Sequence, residues 1–378
     1  MAENPATGKA LADTESGPAP APTGAAKRAL QSNPARTAIL CTAWLLGILI
    51  IGTILVFGQN VLIPLAVAIM IWHMINAIAN RYAKISINGR SLPGWASLMG
   101  ALATIAVGCW LVVDLVSANV AQVSESAPLY QENLQKLSQN LPSWAGLGSI
   151  PTLEELISRV NIGDLIGQVT SAFGALLGNA GLVGLYVMFL LLEQATFERK
   201  IDALFTKPGR ADQVRAILAA TEQRIERYLW IKTLMSLLTA GLCFIVLSLV
   251  GVDYPGFWAL IIFLFNFIPN IGSAVAVILP CLLALLQFGS LATTVLLALA
   301  LGFVQFFVGS VIEPRFMGNS LNLSPLVIML SLTLWGSIWG LAGMVLCVPM
   351  TVILAILCSQ FKATQPIAVI LSSDGRIR

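Results

Sequence analysis

The chain has 378 residues, of which 57% are hydrophobic and 10% charged, with a formal net charge of +3 and a mean hydropathy of +0.85. A soluble domain carries about 25% charged residues, and a chain with far fewer cannot cover its own surface, so a lipid bilayer must be the solvent for most of it. The near-neutral charge excludes a nucleic-acid partner, and the absence of a GxxxxGKS/T phosphate loop or an HExxH helix excludes direct use of ATP and zinc peptidase chemistry.

In chain order, residues 1–37 are rich in Ala, Pro, Gly, Ser and Thr, bury too little to offset ordering entropy, and read as a disordered cytoplasmic tail. Residues 38–116 hold three spans, near 39–57, 61–80 and 95–116, with Pro64 expected in the first turn of the second. The lone histidine, His73, falls on that second span with no titratable neighbour in sequence. It is read as a hydrogen-bonding tie between helices rather than a proton relay. Residues 117–168 carry five acidic and two basic side chains, and Pro128, Pro142 and Pro151 are expected to break them into short amphipathic helices outside the membrane.

A fourth span fills 169–192. The segment 193–232 is the most charged, with eight Lys or Arg and six Asp or Glu. Val214, Ile217, Leu218, Thr221, Ile225 and Tyr228 fall on one side of a helix leading into a span at 233–250. That helix reads either as a solvated linker or as a coupling helix docked under the transport core. Basic residues before the first span, between the second and third, and in 193–232 put those segments and both termini in the cytoplasm by the positive-inside rule. The six cysteines all lie in apolar runs and read as small hydrophobes; no metal site and no cofactor are expected.

The transport core is placed at 233–361, followed by a cytoplasmic tail at 362–378. No Asp, Glu, Lys, Arg or His occurs in 254–312, and none of these but Glu313 and Arg315 in 313–361. The first of these tracts is broken at Pro269-Asn270-Ile271-Gly272 into arms of 13 and 16 residues, shorter than the roughly 20 a full span needs. The second opens at Pro325 and holds Trp335-Gly336 and Trp339-Gly340 in its middle. Both tracts read as broken, re-entrant helical hairpins, although two short spans in either would also fit the lengths. Paired interrupted segments point to a transport site, because their freed backbone groups must face a polar cavity. Asn266, Pro269, Asn270, Gly272, Ser273, Gln305, Trp335 and Gly336 are therefore the expected substrate contacts, with Glu313 and Arg315 as a gate or an ion-coupling pair. The fold class is all-α, polytopic, with about eight hydrophobic segments.

Three motifs in this order, NFIPNIG at 266–272, VIEPRFMGNSLNLSPLVIML at 311–330 and WGSIWGLAGMVLCVPM at 335–350, resemble the autoinducer-2 exporter-like (AI-2E) family of bacterial membrane transporters over roughly 36–361. That family's first motif usually reads IPYIGP; Asn270 and Ser273 stand here at its Tyr and second Pro. The resemblance implies an inner-membrane homo-oligomer that exports a small polar signalling molecule such as autoinducer-2, in quorum sensing. It also implies, as the alternative, sodium or lithium exchange for protons on the same fold, or a pore-like oligomer. It does not imply an enzyme.

Overall fold

The computed structural model describes residues 34–87, 90–140, 162–205, 209–318 and 322–375. The expected tail up to residue 33 and the expected breaks at Pro142 and Pro151 lie outside the described residues. The chain divides into two units, residues 1–55 and 56–378. The first holds most of helix α1 (Pro34–Phe57), which begins three residues before the end of the expected tail and exposes Ile39, Leu45 and Leu49.

In the second unit the helices are α2 (Gln59–Tyr82), α3 (Gly94–Asn140), α4 (Ile162–Leu204), α5 (Arg210–Val250), α6 (Pro255–Phe265), α7 (Ile271–Phe288) and α8 (Leu291–Phe306). A π-helical turn at Phe307–Ile312 leads into α9 (Glu313–Met317), followed by α10 (Pro325–Gln360) and α11 (Gln365–Leu371). The only strands among the described residues are β1 (Ser86–Ile87) and β2 (Arg90–Ser91), an antiparallel pair between α2 and α3. Among the described residues seven helices are long and apolar enough to cross a membrane, and α6 is a shorter apolar helix. Leu299, Phe303 and Leu330 are among the many large apolar side chains left exposed, as a lipid-facing surface requires. The protein is an all-α multi-pass membrane protein.

Two local expectations give way. Helix α2 starts at Gln59, so Pro64 lies inside it rather than in its first turn and has no N–H to offer the Asn60 carbonyl. Helix α3 runs without interruption through Pro128 to Asn140, where the sequence suggested a break. Proline weakens a helix by removing one donor, but flanking turns on both sides can carry it through.

One core joins α5, α6, α7 and α8 through Cys243, Leu247, Ile262, Ala284, Leu297 and Leu301. Another joins α2, α3 and α4 through Ala68, Ile75, Ala101 and Val187. Helix α5 has 41 residues and so is about 61 Å long, twice a hydrocarbon core. Its apolar half, 233–250, belongs to the first core, while its charged half continues beyond it. It stops at Gly251, whose left-handed φ of 81° lets Val252 donate back to the Leu247 carbonyl at 3.0 Å.

Candidate transport site

Both ion-free tracts double back. In the first, Gln287 near the end of α7 accepts from the Asp253 amide at 2.9 Å and donates to the Gly251 carbonyl at 2.9 Å, so the tract leaves and returns at one place. Its tip is a γ-turn at Pro269-Asn270-Ile271, in which the Ile271 amide donates to the Pro269 carbonyl at 2.6 Å. Asn270 sits at φ 58°, ψ −55°, the strained hand of that turn. Gly272 follows because nothing larger fits: a Cβ there would lie 1.8 Å from the Phe265 carbonyl oxygen.

The second tract repeats the device. Helix α10 is two arms meeting at Gly340, whose φ of 60° and ψ of −137° are open only to glycine. Trp335 Nε1 donates to Thr351 Oγ1 at 3.3 Å, although the residues are 16 apart in sequence. A straight helix would hold them about 24 Å apart, so the arms are antiparallel. Gly343 is pressed against the Trp335 carbonyl as Gly272 is against that of Phe265. The residues after the second tract return to its start: α11 runs back until the Ser324 amide donates to the Leu371 carbonyl at 3.1 Å.

The expected substrate contacts separate into three groups. Asn270 is exposed and Ser273 half-buried at the first tip. Asn270 Nδ2 lies 3.1 Å from Met329 Sδ on the first arm of α10, and Ser273 Oγ donates to the Asn270 carbonyl at 2.8 Å. Asn266 is buried and donates to Ser236 Oγ of α5 at 3.0 Å, and Trp335 is buried on Thr351, so both tie helices together. Pro269 and Gly272 shape the first turn, while Gly336 faces Met344 across the second hairpin. Gln305 is buried in α8, and its Nε2 makes no hydrogen bond. Among the described residues no Cα of α10 lies within 8 Å of one in α6 or α7. Asn270 and Met329 are thus a place where the two tracts touch.

Glu313 does not pair with Arg315, which is exposed. It pairs with Lys232 of α5, Nζ to Oε1 at 2.8 Å, with side chains only 17% and 9% exposed. The π-helical turn makes this possible, because its extra residue shifts the register so that the Glu313 amide donates to the Val308 carbonyl. Lys232 closes the charged segment, and no spacing in the sequence links positions 81 apart.

A family model described as AI-2E family transporter matches residues 39–363. The chain belongs to the AI-2E family of transporters. It is 32% identical over 261 residues to a Borreliella burgdorferi protein named for transport by inference, with no substrate given, covering 68% of this chain and 70% of that one. It is 27% identical to the AI-2 transport protein TqsA of Escherichia coli, over 84% of this chain and 90% of that protein. It is also 24% identical to a sodium-lithium/proton antiporter of Halobacillus andaensis, over 80% and 91% of the respective chains.

A second polar cluster was not anticipated. His73, Asn76 and Asn80 line one face of α2, and Glu222, Gln223 and Glu226 face them from α5, with Gln194 of α4 nearby. Each half was visible as an i, i+3 or i, i+4 pattern, but nothing in the sequence joined a lone span histidine to a pair of glutamates about 150 positions on.

Proposed function

We propose that this AI-2E family member is a secondary exporter of a small, neutral, polar solute of the autoinducer-2 kind, acting as a homo-oligomer in the inner membrane with both termini cytoplasmic. The observation that carries the reading is the pair of hairpins whose own polar side chains are all uncharged. Asn270, Ser273 and Gln305 offer amide and hydroxyl groups in a stretch without Asp, Glu, Lys, Arg or His. A polyhydroxylated ligand satisfies such groups by hydrogen bonds and brings no charge into the bilayer, where an unpaired polar group costs several kcal/mol. The name of TqsA supports the same solute class.

A second reading rests on a different observation. The enclosed Lys232–Glu313 pair is the ionic element of the hairpin core, and the Halobacillus relative is named as a cation/proton antiporter. In that reading Glu313 exchanges Lys232 for a proton or sodium ion during transport.

Purified protein in vesicles separates them. Export of labelled solute, stimulated by an imposed proton or sodium gradient and weakened in Asn270→Ala and Gln305→Leu, supports the first. Gradient-driven sodium or lithium movement abolished by Glu313→Gln, with no solute flux, replaces it with the second. Flux indifferent to any gradient makes the protein a pore and overturns both.

A further inference from the structure

We propose that His73, Glu222 and Glu226 form a binding site for one divalent transition-metal ion that fastens helix α2 to helix α5. One nitrogen of His73 and one carboxylate oxygen from each glutamate lie within 4.8 Å of one another. Ligand atoms each about 2.1 Å from one tetrahedral ion stand about 3.4 Å apart, so side-chain rotations that bring these atoms together by about an ångström close the site.

Independent observations indicate that something is bound there. His73 and Asn76 are each only 8% exposed. His73 Nδ1, Asn76 Nδ2 and Glu226 Oε1 are all buried, and none makes a hydrogen bond. Burying a polar atom unpaired costs about 1–3 kcal/mol, and more for a carboxylate; a cation would satisfy the His73 nitrogen and the Glu226 oxygen, and the Asn76 amide, a donor, would reach a water on that ion. The neighbouring groups do not supply one. Asn80 Nδ2 reaches Glu226 Oε2 at a long 3.5 Å, and Gln194 Oε1 is taken by Trp72 Nε1 at 3.0 Å. The two carboxylates, one helical turn apart and close together, also repel unless a cation lies between them.

The space and the donor set define the ligand. Asn76, Asn80, Gln194, Glu222 and Glu226, though not His73, line an open cavity of about 330 Å³, roomy enough for the waters that would complete the ion's shell. Sodium, magnesium and calcium prefer oxygen ligands throughout, whereas an imidazole with two carboxylates suits zinc, manganese or iron. An ion here would fasten a span of the α2–α4 core to the charged half of α5, whose other half belongs to the hairpin core. The proposal does not depend on the solute the protein carries.

The test uses the full chain, purified without a histidine tag and stripped by chelator. Zinc and cobalt should each bind at one ion per chain in the presence of millimolar magnesium, raising the melting temperature. His73→Ala and Glu226→Gln should weaken binding at least about tenfold and remove that rise. Because the chain has one histidine, a copper-loaded sample offers a check free of mutation: pulsed electron paramagnetic resonance should show one imidazole nitrogen on the ion. Binding that is not saturable, that survives both variants, or that carries no imidazole signal overturns the proposal.

Discussion

Gly343 stands so close to Trp335 that a Cβ on the glycine would lie 1.9 Å from the Trp335 carbonyl oxygen. Gly272 and Phe265 repeat the relation at 1.8 Å in the first hairpin. The obstructing atom is backbone in both cases and cannot swing away. Gly343→Ala and Gly272→Ala should therefore each lower stability by about 2 kcal/mol or more through forced separation of the arms. Gly302→Ala, with nothing within 4 Å of the added methyl, should change little. Thermal melting of the purified variants checks this, and equal melting temperatures for all three would show that the arms are not in contact.

Lys232 and Glu313 form an ion pair that is mostly enclosed. Removing one partner strands the other charge, which costs about 3–5 kcal/mol, whereas removing both costs far less. Lys232→Met and Glu313→Gln should each destabilise the protein, and the double variant should recover most of the loss. A double-mutant cycle measures the coupling; additive losses would mean that the pair does not form in the membrane.

The charged half of α5 has a buried face, not a solvated one on all sides. Ile225 and Tyr228 are buried, Ile217 is half-buried, and Leu218 is exposed. Ile225→Asp should cost about 2–4 kcal/mol and lower transport, while Leu218→Asp should be close to neutral. Equal effects at the two positions would return this segment to a solvated linker.

The orientation is tested in intact cells. In a cysteine-free background, a cysteine introduced at Glu132 should react with a membrane-impermeant thiol reagent, and one at Arg210 should not. Labelling at Arg210 alone would invert the topology drawn from the distribution of basic residues.

The sequence by itself determined the membrane class and the positions of both chain reversals. These follow from local terms: twenty apolar residues can satisfy their backbone only as a helix, and proline or glycine in a short tract must interrupt it. Thus the breaks at Pro269–Gly272 and at Gly336 and Gly340 were legible without any partner. Pro64 and Pro128 were misjudged because the same local rule ignores what neighbouring turns can carry. Only the tertiary structure decided which polar groups meet. It buried Asn266 on Ser236, took Glu313 from Arg315 and gave it to Lys232, and set His73 beside Glu222 and Glu226. Helical spacing says which residues share a face, but two faces come together through the packing of separate helices. In these tracts almost every face is apolar, so no pattern of charge marks which partner each helix will choose.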